Sequence, residues 1–177
     1  MKKRLPIGND DFAEVRRQNL YFIDKSLMIR YFLDTGDKVT LITRPRRFGK
    51  TLNMTMLREF FDITKDSRQL FQGLSIMDTE YASQINSRPV IFLTLKDCKG
   101  TTAQEMLLLM KKQIYLEYMR YEKNMKGKLD EASLLAQDFR AMIDVLRDPA
   151  SLPVLFTDSI RLLCQIIRNS TEYPLSF

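Results

Sequence analysis

Apolar residues along this chain follow two rhythms that take turns: a spacing of three and four, and short near-continuous runs. Asp10 or Asp11 is placed to cap a short helix over 12–18. The aromatic stretch 20–23 ("LYFI") reads as a short strand. Asp24 then stands where a helix cap would, ahead of Ile29, Phe32 and Leu33 at helical spacing, and Gly36 marks the end. Residues 38–43 ("KVTLIT") are β-branched and apolar, as a buried strand is. From Gly49 the rhythm returns to four: Leu52, Met56 and Phe60, widened by Leu57 and Phe61.

Gly73 breaks "QLFQGLSI" (69–76) into a short helix or turn. The run 88–95 ("RPVIFLTL") predicts a second strand, buried on both faces as in a parallel sheet. A long helix follows Gly100, with Ala103, Leu107, Met110, Ile114, Tyr118 and Tyr121 on one face, and Gly127 breaks it. Asp130 caps a further helix carrying Leu135, Phe139, Met142 and Leu146, stopped by Pro149. A last helix beginning near Pro153 carries Phe156, Ile160, Leu163 and Ile167. Strands separated by helices predict βαβ units, a parallel sheet and right-handed crossovers. The methionines fall mostly on the helical apolar faces, as core filler.

Composition narrows this picture. The 177 residues suffice for one domain with a core, and 45% hydrophobic with 28% charged is globular. Six Gly and six Pro leave no long flexible tract. A net charge of +6 favours anionic partners: nucleotide phosphates, nucleic acid or acidic protein surfaces. With no histidine and only Cys98 and Cys164, a Ser-His-Asp or Cys-His centre is excluded and a Cys/His zinc site nearly so. Met1-Lys2-Lys3-Arg4 begins like a signal peptide, but the polar 8–11 follows, and no run reaches the ~18 apolar residues of a membrane span. The expected location is the cytoplasm, with both thiols reduced.

The candidate chemistry lies between the first strong strand and the helix after it. Gly49-Lys50-Thr51 ends "LITRPRRFGKT" as a phosphate-binding loop ends. A triphosphate requires converging backbone N–H groups at a helix N-terminus, a lysine for the outer phosphates and a hydroxyl for Mg²⁺. Gly49 permits close approach, Lys50 is the lysine and Thr51 the hydroxyl. The usual first glycine is replaced by Arg44, which cannot take φ > 0 cheaply, and Pro45 has no N–H. Amides from Arg46, Arg47 and Phe48 through Thr51 are still on offer. Arg46 and Arg47 either bond phosphate oxygens or project to acidic partners, and the sequence leaves both open.

"RPRRFGKT", with "LPIG" (5–8), "YFIDKS" (21–26), "LFQGLSI" (70–76), "RPVIFLTLKD" (88–97) and "TDSIRLLCQII" (157–167), resembles the predicted AAA-ATPase-like family of bacterial P-loop proteins over nearly the whole chain. That resemblance implies an α/β fold, a P-loop NTPase-like parallel sheet with flanking helices, and ATP with Mg²⁺ as ligands. It places Gly49, Lys50 and Thr51 on the P-loop positions and makes the arginine-rich 44–48 the family's ordinary loop. It also implies a kinship with AAA and STAND ATPases, whose relatives in this family often carry a C-terminal PD-(D/E)XK nuclease-like domain; nothing in this sequence matches that domain. On this reading 1–37 is a lead-in, and 38–177 is the P-loop core and helices of the N-terminal part of such a domain.

The resemblance places a Walker B strand after the last helix, and no such run stands there. The sheet is therefore expected to be incomplete, with the chain a truncated form and its uncovered apolar surface inviting homo-oligomers. Hydrolysis is in doubt on the same ground, and no catalytic acid is assigned. Asp97 reads as the polar end of a strand, since Lys96 interrupts the run, and Asp158 as a surface or cap residue. Two other readings stand beside nucleotide binding. One is a basic nucleic-acid module using Arg44, Arg46, Arg47, Lys111, Lys112 and Arg120, although the two lysines suit a solvated helix face. The other is an inactive remnant.

Overall fold

Six α-helices and a set of 3-10 turns make up the structure, a computed structural model that describes residues 3–43, 45, 48–125, 132–148, 150–151 and 156–170. They fall into two compact units, Met1–Val90 and Ile91–Ser176.

The first unit holds α1 (Phe12–Arg17), α2 (Leu27–Thr35) and α3 (Lys50–Phe61), with 3-10 turns at Arg68–Phe71, Ser75–Asp78 and Glu80–Gln84. α1 starts where the sequence puts it, because the Asp11 side chain accepts the Glu14 N–H at 3.0 Å. Its first amide, on Phe12, donates to the Thr55 hydroxyl of α3 at 3.0 Å, and Asp11 pairs with Arg58 at 3.0 Å. The core beneath is aromatic. Phe12, Phe60 and Phe71 are fully buried, with ring centroids 4.9 Å apart for Phe12–Phe71 and 5.3 Å for Phe60–Phe71. Met56 and Phe60, two of the predicted four-apart positions, are completely buried.

Buried polar groups secure the other end of α3. The Glu59 carboxylate is 2% exposed and takes the Lys65 ammonium at 2.8 Å and the Ser67 hydroxyl at 2.6 Å. Asn86 sits in the left-handed region at φ 56, which asparagine tolerates better than most residues. From there its amide donates to the carbonyls of Glu59 and Asp62 at 3.0 and 2.9 Å. These are carbonyls a helix end leaves without a partner of its own.

α2 ends at Gly36, left-handed at φ 61, as the sequence indicates. Its start differs from the reading. Ser26 is the cap residue, and Asp24 instead ties two distant segments together. The Asp24 carboxylate accepts the Ser26 amide at 2.8 Å and both the amide and the hydroxyl of Ser75 at 2.8 Å, while Ser26 Oγ accepts the Ile76 amide at 3.1 Å. Burial pushes this carboxyl up, but the hydrogen bonds from Ser75 and Ser26 outweigh it and hold it below the ordinary carboxylate value of 3.8. A group lowered in the folded state stabilises above its unfolded pKa and loses that effect as pH falls through the folded one. Asp24→Asn is therefore expected to cost roughly 1 kcal/mol between pH 5 and 7. The gap to the wild type should close below pH 3.8. Urea denaturation across that range checks it, and a gap independent of pH would refute it.

The expected parallel sheet is not formed. Among the described residues there is no strand ladder, only one isolated parallel bridge between Asp62 and Arg88. Residues 20–23, 38–43 and 89–95 all lack strand pairing, so no βαβ unit or crossover is formed among the described residues. The apolar runs are also not buried on both faces: Val39 is 86% exposed, Leu41 83% and Leu95 59%. β-branched composition records how well a segment suits a pleated, half-buried surface, not whether a neighbour exists to pair with. A strand is defined by the ladder it shares, and an extended segment without one is not a strand.

The second unit is three helices, α4 (Ala103–Met125), α5 (Leu134–Arg147) and α6 (Phe156–Ser170), each packed on the other two. Tyr118 of α4 stacks on Phe139 of α5 at 5.1 Å and donates to the Ser159 carbonyl of α6 at 2.6 Å. Burial pushes the Tyr118 phenol well above its usual range. Ile114, Ile143, Leu146, Leu163, Ile166 and Ile167 complete this core. Ser133 caps α5 by accepting the Ala136 amide at 3.2 Å; Gly127, Asp130, Pro149 and Pro153 lie outside the described residues. Among the described residues no helix is long and apolar enough to cross a membrane.

Lys111 is not on a solvated face. It is 5% exposed, and its ammonium donates to the carbonyl of Asp148, just past α5, and to both oxygens of Ser151, at 2.7 Å each. It serves the end of α5, where a positive charge also meets the negative pole of the helix. Lys111→Met should destabilise the protein by about 1–3 kcal/mol through the charge-assisted hydrogen bonds it removes. Thermal melting would show this, and an unchanged melting curve would count against the assignment.

Candidate functional site

α3 begins at an open N-terminus. Gly49 is its cap residue, left-handed at φ 74, so the chain turns into the helix through a conformation glycine enters at little cost. No cap side chain bonds the first amides, and the first turn contains no acid. A Cβ at Gly49 would meet nothing within 4 Å, so the space in front of this backbone is clear. The turn is closed by the Asn53 amide, which donates to the Gly49 carbonyl at 2.9 Å. Such an end is the positive pole of a twelve-residue helix.

Lys50 and Thr51 are the first two residues of that helix. Lys50 is exposed and Thr51 half-buried. Phe48, just ahead, is 60% exposed. Arg44, Arg46 and Arg47 lie outside the described residues. The three residues Gly49, Lys50 and Thr51 thus stand in the order a phosphate cradle uses: flexible backbone, cation, hydroxyl. What fixes them is the far end of the same helix. Thr55, Arg58 and Glu59 anchor α3 to α1 and to Lys65 and Ser67, so the open end projects from a held rod.

A cavity of about 460 Å³ lies beside α3, with Lys50, Met54 and Leu57 among its walls. Phe32 of α2, Asp37 and Ile42 face it from earlier in the chain. Sequence reading did not find this hollow, because Phe32 and Asp37 belong to no local motif with Lys50. No group of three or more Cys, Asp or Glu suited to a metal occurs among the described residues. A Mg²⁺ carried in with a nucleotide would find Thr51 as its protein hydroxyl.

The other candidates are placed differently. Arg120 is paired with Glu117 at 2.6 Å and lies over the Tyr121 ring at 4.5 Å. Lys111 is buried, and of the three cations the sequence offered on α4, Lys112 is the exposed one. Asp97 lies in an exposed turn closed by the Cys98 amide on the Leu95 carbonyl at 3.2 Å. Asp158 is a surface residue 3.5 Å from Arg161.

A held helix whose N-terminus is led by glycine and carries a lysine and a hydroxyl is compatible in residue order with a phosphate-binding loop. The chain belongs to the AAA-ATPase-like family, described as "Predicted AAA-ATPase", which it matches over residues 6–156. That membership carries a general ATP-binding theme. The chain is also 37% identical over 78 residues to the "Uncharacterized protein in vnfD 5'region" of Azotobacter chroococcum mcd 1. That stretch is 44% of this chain and only 14% of that relative's length. No solved structure matches the chain.

Proposed function

We propose that residues 44–51 bind the phosphates of ATP, with Mg²⁺ carried alongside. The observation that supports this best is Gly49 in the left-handed region directly before Lys50 and Thr51, at the N-terminus of α3, whose first turn holds no acid. In this reading the amides of Phe48 through Thr51 face the phosphate oxygens, and Arg46 and Arg47 add charge-assisted bonds. The Lys50 ammonium holds the outer phosphates, and the Thr51 hydroxyl holds Mg²⁺. Mg²⁺ supplies neutralisation of charge on the phosphate oxygens. The reading is one of binding; no described acid is assigned to hydrolysis. A cytoplasmic location, where ATP is abundant and Cys98 and Cys164 stay reduced, belongs to it.

Thermal unfolding with ATP, ADP and GTP, each with Mg²⁺, tests the reading. A ligand at ~100 times its dissociation constant adds ~2.7 kcal/mol of apparent stability. Melting that does not move with any of the three at millimolar concentration would end it. The nucleic-acid reading loses support from the burial of Lys111 and the pairing of Arg120.

A further inference from the structure

We propose that the cavity beside α3 takes the nucleoside end of the bound nucleotide. This rests on the phosphate reading above and adds to it where the rest of the ligand goes. Lys50, Met54 and Leu57 all line the hollow and recur at the spacing of one helix face. At 1.5 Å per residue, the wall they form runs about 10 Å down α3 from its open end. The side of the hollow near the helix N-terminus therefore carries the ammonium, and the side further along carries a thioether and an isobutyl group.

Residues 37–42 supply another wall with a period of two. Lys38, Thr40 and Ile42 line the hollow, while Val39 and Leu41 between them are 86% and 83% exposed. Phe32 adds an aromatic ring.

These walls do not suit a polyanion alone. A phosphate gains from Lys38 and Lys50 but nothing from Phe32, Ile42, Met54 and Leu57, which make up half of the lining. A heterocycle gains from all four apolar groups, through area buried and through ring and sulfur contacts. Asp37 accepts hydrogen bonds from ribose hydroxyls or the exocyclic amine of a base. The volume, about 460 Å³, lies in the range of small-ligand pockets. The hollow adjoins Lys50, so one ligand with an anionic and a ring-bearing end can use both regions.

The test compares ATP with inorganic tripolyphosphate, each with Mg²⁺, by isothermal titration on the full chain. The wild type should bind ATP at least about tenfold more tightly than tripolyphosphate, since only ATP has a part for the cavity. Met54→Trp, which fills the hollow from a half-exposed position, should weaken ATP about tenfold and leave tripolyphosphate within about twofold. The chain has no tryptophan, so Phe32→Trp places a single tryptophan in the cavity wall, excited selectively over the tyrosines. Its emission should change with ATP and stay fixed with tripolyphosphate. Equal affinity of the wild type for both ligands, or a parallel loss of both in Met54→Trp, overturns the nucleoside assignment and leaves the phosphate site standing. A Phe32→Trp emission blind to ATP overturns it even where Met54→Trp fails to fold. Failure of both ligands to bind the wild type removes the phosphate reading, and this one with it.

Discussion

Lys50→Ala is expected to lower the affinity for ATP by about 2–3 kcal/mol, the range of a hydrogen bond to a charged group. That corresponds to roughly thirty- to 150-fold in dissociation constant. The reason is local. Lys50 is the first residue of α3, in a first turn that holds no acid and at the positive pole of the helix. Fold stability should not fall, because the side chain is exposed and alanine is the best helix former. The same variant should lose tripolyphosphate to a similar degree. Calorimetric titration beside a melting curve separates the two quantities. Affinity that survives the substitution at an unchanged melting temperature removes Lys50 from the site.

Phe71→Ala carries the largest expected loss of stability, about 3–5 kcal/mol. Phe71 is fully buried and packs against both Phe12 and Phe60, so its removal leaves a void between α1 and α3 that neither ring can close without leaving its own contacts. The loss is comparable to the whole stability of many domains, 5–15 kcal/mol. Near-UV circular dichroism should show the aromatic signal collapse, and urea denaturation should put a number on it. A cost under about 1 kcal/mol would mean the ring cluster tolerates a hole, contrary to how such cores behave. Because α3 is seated on this cluster, the variant should also lose nucleotide affinity, in proportion to the fraction unfolded.

What the sequence made legible was local. The caps at Asp11, Gly36 and Gly49, the four-apart apolar faces of α3 and α4 and the break at Gly73 all depend on neighbours within one or two turns. So does the placement of Gly49, Lys50 and Thr51 at a helix start. The strands were misread because pairing is not a local property: "KVTLIT" has the composition of a strand and nothing among the described residues to share a ladder with. Asp24 was misread for a related reason. Its position two residues before Ser26 signals a turn, but the pull of Ser75, 51 residues on, leaves no trace near it. Lys111 looked like one half of a charged pair of neighbours, and its partners Asp148 and Ser151 lie on another helix's far end. The cavity beside α3 draws on residues from 32 to 57, more than any single motif spans.

The sequestered ammonium of Lys111 has a practical corollary for chemical probing. Acylating reagents attack free lysine amines, and this one is enclosed and fully engaged while its sequence neighbour Lys112 stands in solvent. Brief treatment of the native protein with an acetylating agent should therefore mark position 112 and spare 111. Uptake at 111 under rising denaturant then becomes a mass-spectrometric gauge of when the α4–α5–α6 bundle opens.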